Sequence, residues 1–193
     1  IITPEQFSFT AEKKLLDILP KQAVLNAEVI TFNRMAYRIF KEVGGASKTV
    51  LTESGNAILI YNILEKNKKK LKFLGKSNKN IEIISRMFTE LKKHQIKPEN
   101  LKEVINNLED NIYLKTKIED IYCLYKEYEE ALSQNYIDAD DILTMLIPKI
   151  EKSKMFDNSV IYIDEFAGFT KQEYELIKEI LKKAKQVNIT ICS

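Results

Sequence analysis

The chain has 193 residues, of which 45% are apolar, enough for one medium-sized globular domain or one domain with an insertion. Its net charge of +2 selects no class of partner, so any nucleic-acid footprint must be local. Two cysteines and one histidine, at no ligand spacing, exclude a disulfide framework and a zinc site.

No apolar stretch approaches the roughly 20 residues that a membrane helix needs, and no signal peptide is present. We therefore expect a cytoplasmic protein with no membrane partner. Cys123 and Cys192 lie in apolar patterns and are interpreted as small core residues in a reducing compartment. Because the chain opens at Ile1 inside a strand pattern and closes at Ser193 just after another, we expect a fragment of a longer protein.

The first part of the chain predicts two strand–helix pairs. It opens with a truncated strand pattern, Ile-Ile-Thr, and the sequence Thr-Pro-Glu-Gln from Thr3 has the form of a capping box with proline at the first helical position. We expect that helix to end near Leu19. A second strand pattern covers residues 28–31, and the helix after it runs from about Phe32 to Gly44, a usual helix stop.

The middle of the chain shows only helical periodicity. The longest predicted helix there carries an apolar and aromatic stripe: Ile118, Ile121, Tyr122, Tyr125, Tyr128 and Leu132. We therefore expect an all-helical insertion between the second and third strands. The predicted domain limits are residues 1–46 for the first part of the main domain, 47–152 for the insertion and 153–193 for the second part.

Two further strand patterns follow the insertion. Residues 160–164 are apolar on both faces, as in a buried parallel strand, and residues 187–191 form a second β-branched run. Between them Thr170 and Glu173 form a capping box that begins a helix. Its predicted inner stripe consists of Tyr174, Ile177, Leu181 and Ala184. Strands that alternate with helices predict an α/β fold with a parallel sheet.

Two adjacent carboxylates, Asp164 and Glu165, follow the third strand, at the end where ligands bind in open α/β sheets. In a nucleotide hydrolase the first such carboxylate holds Mg²⁺, and the second orients or deprotonates the attacking water. Asp164 is thus a candidate metal ligand, and both are candidate catalytic residues. The alternative is that two acidic residues simply end a strand and begin a turn.

A phosphate-binding loop, which such a site needs, is not found in the sequence. The nearest resemblance is Gly-Gly-Ala-Ser-Lys-Thr at residues 44–49, but Ser47 and Glu42 stand where the loop requires glycine. This stretch also follows a predicted helix rather than a strand, so we interpret it as a helix stop and linker. A working loop is expected upstream of Ile1.

Polar and aromatic residues follow the first two strands and form a third candidate site. They are Thr3, Gln6, Phe7, Thr31, Phe32, Asn33 and Arg34. Helix N-termini, hydroxyls and amides bind nucleic-acid phosphates, and an aromatic ring can stack on a base. The alternative is helix capping by the threonines and core packing by the phenylalanines.

A lysine-rich stretch covers residues 66–79, with Phe73 and Leu74 inside it. Two interpretations stay open for this stretch. It is either a patch that contacts a duplex or a solvated loop.

The order of these motifs resembles that of superfamily 1 helicases of the UvrD type. Residues 29–39 resemble the Thr-Phe-His-x-x-x-x-Arg-Ile motif of those helicases, residues 136–143 their Asp-Phe-Asp-Asp-Leu-Leu segment, and residues 163–170 their Asp-Glu-Phe-Gln-Asp box. Residues 2–12 and 28–34 more specifically resemble the B subunits of AddAB-type helicase–nucleases, also called RexAB.

The resemblance implies a partial RecA-like domain of the P-loop NTPase class (domain 1A of a helicase) with its helical insertion (1B). It implies ATP and Mg²⁺ as cofactors of the whole protein and an iron–sulfur cluster in a C-terminal nuclease domain. None of these is expected to be bound to this chain alone. The implied partners are the A subunit and DNA, as single strands and duplex ends, during ATP-dependent end processing of double-strand breaks for recombinational repair.

Position by position, the resemblance makes the third candidate site a set of single-strand contacts, and Asp164 and Glu165 the Mg²⁺ and water residues. Ala167 and Gly168 depart from the Gln and Asp of the helicase box, whose Gln senses nucleotide. B subunits of this family are regarded as scanning DNA rather than translocating. Two alternatives stay open: an active UvrD-like motor, and a non-enzymatic subunit-docking module whose tyrosine-bearing helix exposes an apolar stripe.

Overall fold

The computed structural model describes residues 1–19, 26–45, 49–74, 80–108 and 111–191. The chain is mixed α/β and mostly helical, and its described strands pair in parallel. It divides into two compact units. Unit 1 comprises Ile1–Ser47 with Ile142–Ser193, and unit 2 comprises Lys48–Asp141.

The elements follow one another in the order given by their bounds. The helices are α1 (Glu5–Ile18), α2 (Phe32–Val43), α3 (Glu53–Asn67), α4 (Ile81–Lys93), α5 (Pro98–Asn107), α6 (Ile112–Asn135), α7 (Ile142–Ile150) and α8 (Lys171–Lys183). The strands are β1 (Thr49–Val50), β2 (Tyr136–Ile137), β3 (Val160–Phe166) and β4 (Gln186–Ile191), and a 3₁₀ turn covers Ala139–Asp141.

Unit 1 contains a parallel layer built on β3. This strand pairs in parallel with β4 along its length, and on its other side Ile163 bridges to Ile2, which in turn bridges to Ile30. The order across the layer is therefore Ile30, Ile2, β3 and β4. The predicted parallel pairing is confirmed, but the first two predicted strands are single-residue bridges rather than full strands.

The start of α1 differs from the prediction. Pro4, not Thr3, is the N-cap residue of this helix, and no side chain caps it. The predicted capping box is wrong because Thr3 belongs to the parallel layer, where its backbone N–H donates to the carbonyl of Ile30 at 3.2 Å. The Thr3 side chain is consequently buried between layer and helix instead of facing the first turn.

Helix α2 begins and ends as predicted. The hydroxyl of Thr31 accepts the backbone N–H of Arg34 at 3.3 Å, and the helix ends at Gly44, whose φ of +76° lies in the left-handed region that favours glycine. One face of this helix is buried. Its buried members are Phe32, Met35, Ala36, Ile39 and Phe40.

Helix α8 has the predicted capping box at Thr170 and Glu173, but a different inner face. Leu176, Ile177 and Ile180 are buried, while Tyr174 and Leu181 are exposed by 55% and 51%. The prediction is confirmed for Ile177 and wrong for Tyr174 and Leu181. Helical periodicity fits neighbouring faces of the helix about equally well, and packing against α7 selects the face that is buried.

Unit 2 is a helical unit with a small parallel ladder. Thr49 pairs with Tyr136 and Val50 with Ile137, so the prediction of helices alone is wrong in this detail. Two-residue strands are shorter than any periodicity can detect. Helices α3, α4 and α6 enclose the core, where the ring of Phe88 lies 5.0 Å from that of Tyr125 and 4.8 Å from that of Tyr128.

The tyrosine-bearing stripe of α6 faces this core. Tyr125, Tyr128 and Leu132 are buried, so this part of the helix offers no apolar surface to a partner subunit. His94 ends α4 as an exposed C-cap residue, and Cys123 is half-buried. Cys192 lies outside the described residues. None of the helices within the described ranges has the length and apolar character that crossing a membrane requires.

The predicted domain limits and the two compact units assign helix α7 differently. It belongs to unit 1, where it packs against α2 and α8, whereas the prediction assigned residues up to 152 to the insertion. The predicted limits at residues 46 and 152 stay a prediction.

Glu42 joins the end of α2 to the segment after α7 within unit 1. Its carboxylate accepts a hydrogen bond from the Ser153 hydroxyl at 2.5 Å and another from the backbone N–H of Lys154 at 2.8 Å. The Ser153 hydroxyl, followed by the Lys154 N–H, holds the pKa of Glu42 below its usual value because both donors favour the ionised form.

We expect the Glu42→Gln substitution to lower the thermal midpoint at pH 7 but not at pH 3. A depressed carboxyl pKa stabilises the folded state above the unfolded-state value of about 4.3 and ceases to do so as the pH falls through the folded-state value. Thermal unfolding of both proteins across this pH range checks the prediction. Glu12→Gln, at an exposed position of α1, controls for the loss of one negative charge. If the difference in thermal midpoint between wild type and Glu42→Gln stays constant with pH, the prediction is wrong.

Candidate functional site

Three predicted site residues lie at one edge of the parallel layer in unit 1. The backbone N–H of Asp164 donates to the carbonyl of Ile2 at 3.0 Å, and that of Thr3 donates to the carbonyl of Ile30 at 3.2 Å. Thr31 directly follows Ile30. The structure therefore brings Thr3, Thr31 and Asp164 together at the carboxyl ends of adjacent parallel segments, where α/β proteins bind their ligands.

Asp164 is held in place by β4. Its Oδ1 accepts the hydroxyl of Thr190 at 2.6 Å and the backbone N–H of Glu165 at 2.9 Å. The Thr190 hydroxyl, and after it the Glu165 N–H, lowers the pKa of Asp164, so this exposed carboxylate is ionised at neutral pH. Thr190 was missed at the sequence level, although a hydroxyl near the end of the strand next to the carboxylates was a usable signal.

Glu165 has an unusual backbone conformation. Its φ is +66°, and the pairing of β3 with β4 is irregular between Ile163 and Phe166. A non-glycine residue in the left-handed region costs on the order of 1–3 kcal/mol, and such positions concentrate at functional sites. The irregularity turns Phe166 into the core and leaves Asp164 exposed and Glu165 half-buried.

A cavity of about 190 Å³ lies between α1 and the two carboxylates. Its polar lining comes from Thr3, Thr10, Lys14, Asp164 and Glu165, and Phe7 contributes an aromatic wall. The hydroxyl of Thr3 is buried and has no hydrogen-bond partner in the described part of the chain. A buried hydroxyl without a partner is uncommon and marks a place where a ligand or water can complete the bonding.

The other predicted contact residues differ in their exposure. Gln6, Asn33 and Arg34 are exposed in the first turns of α1 and α2, and the guanidinium of Arg34 has only a long 3.9 Å approach to Glu5. Phe32 is buried, with its ring centre 5.4 Å from that of Phe166. Helix capping by Thr31 and core packing by Phe32 are thus observed, whereas any contact with DNA at these positions stays a prediction.

The oxygen atoms at this edge suit Mg²⁺ in a nucleotide complex. Magnesium is usually held by one or two carboxylates, with waters and substrate phosphates as its other ligands. Asp164, with the neighbouring Thr190 hydroxyl, provides oxygen ligands of this kind. Within the described ranges no cluster of three or more His, Cys, Asp and Glu side chains is placed to hold a metal ion by itself. Asp164 would hold the ion, and Glu165 would lie beside the attacking water.

The glycine-rich stretch at residues 44–49 is not arranged as a phosphate loop at its described end. Gly44 closes α2, as predicted for a helix stop. Residues 46–48, which include the lysine, lie outside the described residues.

Together these features define a mixed α/β protein whose parallel segments end in a polar edge with an ionised aspartate. Comparison with known proteins narrows this class. The family model described as "ADDB, N-terminal" matches residues 1–193, and the chain belongs to this family.

Its relatives in the family are named as the B subunit of an ATP-dependent helicase/deoxyribonuclease. The chain is 43% identical over 196 residues to that of Clostridium botulinum (strain Loch Maree / Type A3) and 45% identical over 195 residues to that of Clostridium kluyveri (strain NBRC 12016). It is 39% identical over 194 residues to that of Caldanaerobacter subterraneus subsp. tengcongensis. These alignments cover 99–100% of this chain but only 17% of each relative.

Proposed function

We propose that this chain is the helicase-like N-terminal region of the B subunit of an ATP-dependent helicase/deoxyribonuclease, and that it binds or scans single-stranded DNA. In the whole protein this region would serve the processing of double-strand break ends for recombinational repair, together with an A subunit. Relatives of 39–45% identity that bear this name support the proposal. The chain spans 17% of their length, so the activity of the whole protein is part of the proposal.

The observation that carries the proposal is the shared edge formed by Thr3, Thr31 and Asp164. These residues are up to 161 positions apart in the sequence, yet four backbone hydrogen bonds join their segments. A partial RecA-like layer, with parallel segments in the order Ile30, Ile2, β3 and β4, accounts for this arrangement.

The proposed DNA contacts are the exposed members of the predicted set. Gln6, Asn33 and Arg34 lie in the first turns of two helices, where side-chain donors and the helix N-termini favour phosphate. Phe7 is half-buried and is the aromatic residue available to a base, while Phe32 supports the N-terminus of α2 from the core. Thr3 and Thr31 are buried, and they would contribute to DNA binding indirectly, by fixing the backbone where the two parallel segments end.

ATP and Mg²⁺ belong to the same proposal, at the adjoining carboxylates. Asp164 would hold the ion and Glu165 would orient the water, with phosphate binding supplied from outside this chain. Ala167 and Gly168 stand where helicases of this type have a nucleotide-sensing Gln and an Asp. This departure favours DNA scanning over an active motor as the role of the region.

The test is single-strand binding by the full-length protein with the Asn33→Ala and Arg34→Ala substitutions combined. We expect the affinity for oligothymidylate to fall about 10-fold, which is about 1.4 kcal/mol. The slope of log affinity against log salt should fall by about 0.7, because one phosphate contact is lost. Fluorescence anisotropy over a salt series measures both quantities.

Two further variants make this result specific. Arg34→Lys keeps the charge and should keep the salt slope, and Lys41→Ala removes a charge from the opposite end of the same helix. Affinity and slope unchanged in the double variant, or reduced to the same extent by Lys41→Ala, would count against the proposed contacts.

A further inference from the structure

Residues 66–74 of the lysine-rich stretch in unit 2, which play no part in the proposed edge site, have a backbone fixed by hydrogen bonds. The buried carboxylate of Asp120 accepts three consecutive backbone N–H groups, from Lys72 at 3.1 Å, Phe73 at 2.7 Å and Leu74 at 2.9 Å. One carboxylate that binds three successive amides fixes the path of the chain between them. The described part of this stretch is therefore a turn whose backbone is fixed by a buried carboxylate.

Two buried side chains fix the preceding residues. The amide of Asn67 is buried and donates to the carbonyl of Ile63 at 3.0 Å, and Leu71 packs into the core of α3, α4 and α6. As a result, the lysines between and beside these anchors all face solvent. They are Lys66, Lys68, Lys69, Lys70 and Lys72.

An aromatic pair lies against this turn. The rings of Phe73 and Tyr113 meet edge to face at 5.4 Å, and the ammonium of Lys117 lies 4.5 Å and 4.8 Å from their centres. Tyr113, in the first turn of α6, is nevertheless 62% exposed. A large aromatic ring that is fixed by neighbours and still open to solvent is suited to stack on a flat ligand.

The charges of this region are only partly balanced. Lys66, Lys68 and Lys72 form ion pairs with Glu127, Glu65 and Glu119 at 2.8, 3.2 and 3.6 Å. In the described part of the chain Lys69 and Lys70 have no such carboxylate partner, and Lys117 has only its two rings. Lys69 and Lys70 of the turn and Lys117 of α6 therefore present three ammonium groups that are available to an anion, on a backbone that needs no further ordering.

We propose that Lys69, Lys70, Tyr113 and Lys117 form a second nucleic-acid site, called here the basic–aromatic surface, which binds a single strand. The ammonium groups contact phosphates, and the ring of Tyr113 stacks on an unpaired base. Single strands fit better than duplex because the bases of a duplex are already stacked on each other and cannot reach a surface ring. This site belongs to unit 2 and does not depend on the polar edge of unit 1.

The experiment uses the full-length protein, both as wild type and in the Asn33→Ala/Arg34→Ala background, so that the two sites are separated. Binding of fluorescent oligothymidylate is measured by anisotropy between low and moderate salt. In both backgrounds, Lys69→Ala combined with Lys70→Ala should lower the log–log salt slope by about 1.4, at about 0.7 for each lost phosphate contact. Tyr113→Ala should weaken binding roughly 5- to 150-fold, the range for one stacked base.

Matched controls come from the same unit. Lys97→Ala combined with Lys102→Ala removes two exposed lysines at the start of α5, and Tyr61→Ala removes another exposed tyrosine. These variants should bind like their parents. Tyr113→Phe keeps the stacking ring and should also bind like its parent, which separates stacking from loss of the hydroxyl.

Loss of binding in the Lys69/Lys70 and Tyr113→Ala variants, with the controls unaffected, supports the site. Unchanged affinity and an unchanged salt slope in those variants overturn the proposed site, whatever the Asn33→Ala/Arg34→Ala variant shows. A duplex of equal length that binds more tightly than the single strand and is insensitive to Tyr113→Ala overturns the assignment of a single strand. Thermal midpoints within error of the parent show that each variant is folded.

Discussion

Lys92→Met is expected to lower the free energy of unfolding by about 3–5 kcal/mol, the cost of removing one partner from a buried ionic cluster. The Lys92 side chain is only 2% exposed, and its ammonium lies 2.6 Å from Asp141, 2.7 Å from Glu129 and 3.7 Å from Asp138. Methionine has a similar volume but no charge, so three carboxylates would lose their counter-ion inside unit 2.

The cluster explains why a lysine is tolerated in this core. Burial alone would lower the pKa of Lys92, but the nearby carboxylates of Asp141 and Glu129 outweigh it, so the net shift is upward and the ammonium stays charged. Asp138 also accepts the hydroxyl of Tyr128 at 2.6 Å, which ties the cluster to α6. The acidic segment that resembles a helicase motif thus has a structural role in unit 2.

Urea unfolding followed by circular dichroism measures this effect, with Lys93→Met as its control. Lys93 is the next residue, but it is more exposed and forms an ion pair with Glu90 on its own helix. Its substitution should change stability by no more than about 0.5 kcal/mol, as for other surface ion pairs. A loss below about 1 kcal/mol for Lys92→Met would show that the cluster contributes little to stability.

Asp120→Ala is expected to lower the free energy of unfolding by about 3 kcal/mol, since hydrogen bonds to a charged group contribute about 1.5–3 kcal/mol each and are not additive. The substitution leaves the N–H groups of Lys72, Phe73 and Leu74 without their shared acceptor. These amides should also exchange with solvent faster than the core of α6. Hydrogen exchange and urea unfolding together check the result.

Asp120→Asn retains one acceptor oxygen, and we expect a smaller loss than with alanine. Glu119→Ala removes the neighbouring carboxylate, which makes only a 3.6 Å ion pair with Lys72, and it serves as the control. Faster exchange over the whole of unit 2 at equal rates would mean that Asp120 stabilises the unit globally and does not specifically order the turn.

Local sequence signals predicted those elements of the fold whose ends are determined by residues only a few positions away. Thr31 and Gly44 mark the ends of α2, and Thr170 with Glu173 begins α8, because caps act on backbone groups three or four positions away. The apolar run at residues 160–164 predicted β3 and its parallel pairing. The prediction that both faces of this strand are buried is wrong, because Val160 and Tyr162 are 45% and 51% exposed on one face. The polar residues at the strand ends were likewise visible in the sequence as candidates.

Tertiary structure alone decided which of those candidates are exposed. Thr3 and Thr31 fit a DNA-contact pattern as well as Gln6 and Arg34 do, but the layer and the core bury the two threonines and leave the other two at the surface.

By itself the sequence determined the helix ends, the strand on which the carboxylates lie and the family resemblance, because these depend on neighbours along the chain. Only the folded chain brought Thr190 to Asp164, Asp120 to the lysine-rich turn and Asp141 to Lys92. The partners in these contacts are 26 to 49 residues apart. No local periodicity specifies such contacts, since they form only after tertiary packing has brought together segments that are far apart in the sequence.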